Sequence, residues 1–224
     1  MNNPGFTRYH RILGSAAAFV MAPLLIAYTV TLVLGLLSLK SPLEPIGDPY
    51  FSLLEVLIIV MAPVLVIVMI AVHGYASSPE KRFFSLAALA FMLILAAITA
   101  GVHFVVLTVS HQVTSAGVPL ASFLFSFEWP SVAYALDILA WDVFFGLSML
   151  FAAFVFSTPR LERAIRYLMV LSGVLCLAGL AGVALADMNV RNIGIVGYVG
   201  VSLAIFPLLG LLFRRTEPAP ETSG

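Results

Sequence analysis

Four ionisable side chains lie within strongly apolar stretches of this sequence, namely Glu55, His103, Asp137 and Asp142. An ionisable group inside a membrane-like segment is costly, so such residues usually face a protein interior and often take part in function. Carboxylates beside an imidazole can exchange protons with it, because burial and neighbouring charge adjust the protonation of each group. These residue types indicate either a site that exchanges protons or binds a ligand, or groups that hydrogen-bond one another or backbone carbonyls and fix the packing of the helices.

The segments that must position these side chains are long and apolar. Hydrophobic residues make up 62% of the chain and charged residues 10%, whereas soluble domains are roughly a quarter charged. Strands are disfavoured because an unpaired strand cannot satisfy its backbone polar groups in lipid. We predict an all-α integral membrane bundle of six transmembrane helices, which forms one domain over residues 1–215. The expected spans are 12–38, 51–73, 83–109, 130–156, 163–186 and 193–213.

The distribution of positive charge predicts how these spans are oriented. Nine of the eleven Lys and Arg residues fall on one side of the bundle if the spans alternate in direction. Such a bias in short loops marks the cytoplasmic side. We therefore expect both termini to be cytoplasmic, residues 216–224 to form a disordered tail, and the protein to lie in a cell membrane, either plasma or inner. The two remaining cations are Lys40 and Arg191.

The depths of the four ionisable groups predict a shared pocket. With a rise of 1.5 Å per residue, three of them lie roughly 6–10 Å from the outer end, whereas Asp142 lies roughly 18 Å deep, near the bilayer midplane. Asp137 and Asp142 are five residues apart, about 140° around an α-helix, so one narrow face is not expected to hold both. The fourth span should then be central, with a pocket open to the outer side between the second, third and fourth spans. Aromatic residues expected to line it are Tyr134 and Trp141.

Two connecting segments on the outer side have unusual compositions. The loop between Ser110 and Trp129 carries Phe123, Phe125 and Phe127, which suit either an aromatic anchor at the membrane interface or a lid over a cavity. The later turn is polar, and we expect it to end a helix with a local ion pair. Its polar residues are Asp187, Asn189, Arg191 and Asn192.

Small residues in the fifth and sixth spans recur at four-residue spacing, which lets helix backbones approach closely. A second copy of the chain or a larger membrane complex can dock on such faces. We expect the lipid bilayer, and either of these assemblies, as partners. The small residues are Ala178, Gly182 and Ala186, followed by Gly200 and Ala204.

Several other classes of site lack support in the sequence. The Lys and Arg residues are dispersed, so nucleic acid is not an expected partner. Cys176 is the single cysteine and lies in an apolar run, which excludes an intrachain disulfide. The spacings typical of zinc sites are missing, although His103, Asp137 and Glu55 could hold a metal if their helices converge. No cofactor and no metal are predicted.

Four short segments resemble uncharacterised multi-pass membrane proteins of prokaryotes. The likeness covers about the last 95 residues. It implies a prokaryotic membrane protein, but no activity and no site residue come with it. The segments read WPS at 129–131, ALDILAWD at 135–142, SGVLC at 172–176 and GIVGY at 194–198.

Three functions fit these observations. The favoured hypothesis is binding, sensing or transport of a small apolar or proton-coupled ligand through the polar pocket. An alternative is an intramembrane enzyme that acts on a lipid-like substrate, with His103 and a carboxylate as acid and base. The third is an accessory subunit of a membrane complex, which needs no chemistry of its own.

Overall fold

The computed structural model describes residues 5–41, 44–110, 112–113, 120–157 and 159–218. Six helices in this part of the chain are long and apolar enough to cross a membrane, and no described residue lies in a strand. The prediction of an all-α fold with six such helices is therefore confirmed. The helices are α1 (Arg8–Leu37), α2 (Tyr50–Tyr75), α3 (Pro79–Ser110), a short α4 (Ala121–Phe125), α5 (Val132–Ala153), α6 (Arg160–Leu185) and α7 (Met188–Arg215).

The helix bounds differ from the predicted spans mainly at the last helix. We predicted its start at residue 193, whereas α7 begins at Met188. The Asp187 side chain accepts a hydrogen bond of 2.9 Å from the backbone N–H of Asn189 and so caps the helix. A capping carboxylate satisfies an otherwise unpaired N–H of the first turn, so the polar turn becomes helical. Within the predicted tail, residues 219–224 lie outside the described residues.

The six long helices pack in a closed ring. Each long helix lies beside the next long helix in the chain, and α3 therefore lies against α5. The last helix, α7, packs against α6 and also against α1, which closes the ring. The rings of Phe6, just before α1, and Phe213, near the end of α7, lie 6.0 Å apart between centroids. The start of α1 and the end of α7 therefore meet at one end of the bundle, which we call the terminal end, and the opposite end is called the far end.

The terminal end is held by aromatic packing around a buried carboxylate. The ring of Tyr75 stacks on Phe156 and meets Phe6 edge-on. The Tyr75 hydroxyl donates a hydrogen bond of 2.8 Å to Glu162 Oε1, and the backbone N–H of Ser157 donates one of 2.6 Å to Glu162 Oε2. These bonds join α2 to α6 and to the turn before it, so this end of the ring is tightly closed.

The outward faces of the helices are apolar. Large side chains such as Val33, Ile67, Leu93 and Val174 are exposed on different helices of the ring. Soluble monomers rarely expose contiguous apolar surface on this scale, because its contact with water is unfavourable. The same faces suit contact with lipid chains.

Three of the long helices contain a π-helical segment, in which the backbone hydrogen bond closes over five residues. Such wide turns are often found at functional sites. The first begins three residues after His103, the second contains Asp142 and the third contains Tyr198. The segments are Val106–Ser110 in α3, Leu139–Phe145 in α5 and Val196–Val201 in α7.

Candidate functional site

The four ionisable residues singled out in the sequence meet in one cluster near the far end. Glu55 Oε2 lies 2.7 Å from His103 Nδ1, and His103 Nε2 lies 3.3 Å from Asp137 Oδ1. Arg191 Nη2 then lies 3.9 Å from Asp137 Oδ2 and 3.1 Å from Asp142 Oδ2. We call these five residues the charge cluster. Its members come from α2, α3, α5 and α7, and all are buried except Asp137, which is partly exposed.

Arg191 is the member that the sequence did not predict. Its assignment to an outer turn with a local ion pair was wrong. Asp187 caps the helix instead, and the Arg191 side chain, only 2% exposed, turns into the bundle toward Asp142. Its guanidinium lies 5.2 Å from the ring centroid of Tyr134 and 5.7 Å from that of Tyr198. A desolvated cation held by aromatic faces and carboxylates is strongly stabilised.

Glycines on α6 and α7 let Arg191 and Asp142 meet. A Cβ on Gly182 would overlap the backbone nitrogen of Arg191, and one on Gly194 would overlap Asp142 Oδ1. A Cβ on Gly179 would lie 2.8 Å from the same carboxylate oxygen. The carboxylate of Asp142 therefore occupies a niche that exists only because Gly179 and Gly194 lack side chains.

The burial of Gly182 also removes one residue from the small-residue faces that were expected to dock a partner. Gly182 faces α7 within the ring and cannot contact another chain. The other four small residues of the predicted faces are exposed. Docking on these faces stays a prediction, and its residues are now Ala178, Ala186, Gly200 and Ala204.

Asp137 and Asp142 both approach one atom, Arg191 Nη2. The expectation that a single face of the helix could not hold both carboxylates was wrong, because it assumed α-helical periodicity. Asp142 lies in the π-helical segment Leu139–Phe145. A turn that closes over five residues brings positions five apart toward a common face. The π-helical segment therefore turns the second carboxylate toward the first.

The aromatic residues around the cluster have different roles. Tyr134, which was predicted to line the pocket, contacts the Arg191 guanidinium through its ring. Trp141 is buried, and its ring centroid lies 5.2 Å from that of Tyr198, so it packs behind that ring. Tyr28 of α1 is partly buried against the core of the bundle and was not singled out in the sequence. A tyrosine in an apolar helix carries no periodic signal that marks it as a site residue.

The segment before α5 covers the cluster from the far end. The ring of Phe127 stacks on the imidazole of His103, with centroids 4.9 Å apart and an angle of 18° between the planes. The Ser131 hydroxyl donates to the carbonyl of Ser126, which ties this segment to the start of α5. Phe123 is instead 52% exposed. Phe127 thus acts as a cover, whereas residues 111 and 114–119 of the same loop lie outside the described residues.

Phe127→Ala is expected to increase the reaction of His103 with diethyl pyrocarbonate several-fold, because the stacked ring shields the imidazole. Peptide mass spectrometry of the labelled protein would measure the rate at His103 itself. Phe123→Ala is the matched control and should leave that rate unchanged. Equal labelling in wild type and Phe127→Ala would show that the ring does not limit access.

A metal site does not fit this geometry. The two nitrogens of His103 face two different carboxylates, with Glu55 at Nδ1 and Asp137 at Nε2. The three groups lie along a line through the ring and do not converge on one point, whereas a metal ion needs ligands around a common centre. Within the described part of the chain, no three His, Cys, Asp or Glu residues are placed to hold a metal ion.

The cluster carries unbalanced charge and unsatisfied polar atoms. Its three carboxylates face one arginine and one histidine, which leaves one negative charge in excess even when the imidazole is protonated. Among the described residues, both oxygens of Asp142 and the Nε and Nη2 atoms of Arg191 lack a well-aligned hydrogen bond. Uncompensated buried charge is costly. The arrangement therefore favours uptake of a proton or another cation.

No known protein family, curated protein or solved structure matches the chain. The resemblance of residues in the 129–198 region to prokaryotic membrane proteins therefore stays a prediction. The geometry of the charge cluster is the basis for assigning a function.

Proposed function

We propose that the protein spans a prokaryotic plasma or inner membrane and binds or transports a small ligand in exchange for protons at the charge cluster. The six apolar helices and their apolar outward faces support the membrane location. Nine of the eleven Lys and Arg residues belong to the terminal end, which favours cytoplasmic termini. Because Arg191 lies within the bundle, Lys40 is the only cation that opposes this orientation.

The observation that carries the proposal is the depth of the cluster. Glu55 and His103 lie near the far end of their helices, whereas Asp142 is the eleventh residue of the 22-residue α5. Asp142 is therefore roughly 15 Å into the helix, about half the hydrocarbon thickness. Linked acids and histidines at such depth are typical of proton relays in pumps and transporters. Burying three acids with only two bases costs free energy, and a role in packing alone does not account for that cost.

The contacts also suggest how protonation changes the site. His103 can take a proton at one ring nitrogen and release it at the other, between Glu55 and Asp137. Arg191 uses a single nitrogen to contact both Asp137 and Asp142. A proton on Asp142 weakens its attraction for Arg191, so the guanidinium then favours Asp137. Proton uptake thus selects the partner of Arg191.

The enzyme alternative has weaker geometric support. Both ring nitrogens of His103 are engaged by carboxylates, and Phe127 covers one face of the ring. An acid or base must reach the proton that it transfers to or from the substrate. This arrangement passes protons between side chains and offers no free nitrogen to a substrate. The accessory-subunit alternative depends on the exposed small residues of α6 and α7, which by themselves indicate no partner.

Infrared difference spectroscopy would test proton exchange at the cluster. When the pH is stepped between mildly acidic and mildly alkaline values, the wild type should show a band from a protonated buried carboxyl group that appears and disappears. Asp142→Asn should remove or strongly reduce this band, because it removes the deepest carboxyl group. Glu128→Gln, which changes an exposed acid outside the cluster, is the control and should leave the band intact.

The contrary result is an unchanged band in Asp142→Asn, Asp137→Asn and Glu55→Gln. Protons would then exchange outside the charge cluster, and the proposed function would lose its basis.

A further inference from the structure

Arg191 occupies a binding site of its own within the bundle. Its guanidinium lies between the rings of Tyr134 and Tyr198, at 5.2 and 5.7 Å from their centroids, and faces Asp142 and Asp137. Aromatic faces combined with carboxylates are the groups that recognise organic cations. The site therefore has the chemistry of a receptor for a guanidinium or amine, and a side chain of the same protein fills it.

The fit of Arg191 in this site is incomplete. A guanidinium normally binds carboxylates through two parallel hydrogen bonds. Here one nitrogen, Nη2, makes both ion-pair contacts, at 3.1 and 3.9 Å. The Nε and Nη2 donors and both oxygens of the fully buried Asp142 have no well-aligned hydrogen bond among the described residues. The carboxylates thus retain acceptor capacity that the tethered arginine does not use.

The net charge of the cluster also indicates that the site can accept a further cation. One negative charge stays in excess even when His103 is protonated, so the site needs a further positive charge for neutrality. A proton is one source, and a cation from outside is another. The apolar ring of Phe127, which stacks on His103 of the cluster, favours a cation with an apolar flank.

We propose that the ligand is a small organic cation, a guanidinium or an amine, which binds between Tyr134 and Tyr198 on the carboxylate of Asp142 and displaces the Arg191 side chain. This inference rests on the proposed function, because it names the ligand that exchanges with protons at the same cluster. Arg191 is then a tethered competitor that holds the site closed when no ligand is bound. Tyr198 provides an aromatic ring for the ligand, and Gly194 leaves room for the carboxylate of Asp142 on which the ligand binds.

Methylguanidinium is the probe that tests this inference. Equilibrium binding to the purified protein should be about tenfold tighter in Arg191→Ala than in wild type, because the tethered side chain that occupies the site no longer competes. Neutral methylurea, which has a similar shape, should not bind to either protein. The single variant Asp142→Asn, which keeps Arg191, should not bind methylguanidinium.

Arg191→Gln provides a second variant if Arg191→Ala does not fold, because glutamine keeps much of the volume without the charge. The inference is overturned if neither variant binds methylguanidinium more tightly than the wild type does, or if methylurea binds equally well. The infrared band of the carboxyl group separates the two proposals. A pH-dependent band without methylguanidinium binding would retain proton exchange and reject only the organic cation.

Discussion

Arg191→Met is expected to lower the free energy of unfolding by about 3–5 kcal/mol, the usual cost when one partner of a buried ion pair is removed. Methionine fills a similar volume but leaves Asp142 and Asp137 without their cation. Both carboxylates then have only His103 to compensate them. Thermal unfolding in detergent would measure the effect as a large decrease in Tm, and Arg214→Met, which removes an exposed arginine, is the matched control.

A double variant separates lost charge balance from lost packing. Arg191→Met combined with Asp142→Leu removes cation and anion together, so the net charge of the cluster stays as in the wild type and Asp137 keeps His103 as its partner. We expect the Tm of this double variant to return most of the way to the wild-type value. A double variant as unstable as Arg191→Met alone would contradict the interpretation that the ion pair is what stabilises the contact between α5 and α7.

Gly182→Ala is expected to destabilise the protein by about 3 kcal/mol, at the upper end of the usual cost of overpacking. The added Cβ would overlap the backbone nitrogen of Arg191, and backbone cannot rotate away as a side chain can. Relief requires α6 and α7 to separate, which moves Arg191 away from Asp142. A lower Tm and loss of the pH-dependent carboxyl band should therefore occur together in this variant.

Gly101→Ala is the control for this substitution. Gly101 lies in α3, is exposed, and an added Cβ there has no atom within 4 Å. Replacing a helical glycine by alanine in open space is expected to stabilise the protein by about 0.5–1 kcal/mol. The two glycine variants should thus change the Tm in opposite directions. Similar changes in both would mean that the close approach of α6 and α7 is not needed for the fold.

Much of the architecture was predictable because lipid imposes a simple rule on sequence. Long apolar runs predict the number and approximate bounds of the membrane-compatible helices, and the structure contains all six. The same rule marks Glu55, His103, Asp137 and Asp142, because an ionisable group stands out in an apolar run. Their convergence could be proposed from depth alone, since three of them lie at one level.

The rest of the site depends on features that composition does not reveal. Arg191 lies among asparagines at the edge of a run, so it has the appearance of a loop residue until Asp187 is seen to cap α7. The shared direction of Asp137 and Asp142 depends on a π-helical segment, and α-helical spacing misplaces the second carboxylate. Gly194 forms the niche for Asp142 only when α5 and α7 pack together, which is a property of tertiary structure.

Because α7 packs against α1, every long helix of the ring has a neighbouring helix on both sides. Phe6 and Phe213 lie against each other at the terminal end, so a linker there could join the end of α7 to the start of α1 on the same side. New ends could then be opened in the turn between α2 and α3, also at the terminal end, and the helices would still alternate in direction. Helix ends that lie this close together permit circular permutation. In such a permuted protein the helices would be synthesised in a different order but would keep the same neighbours around the charge cluster.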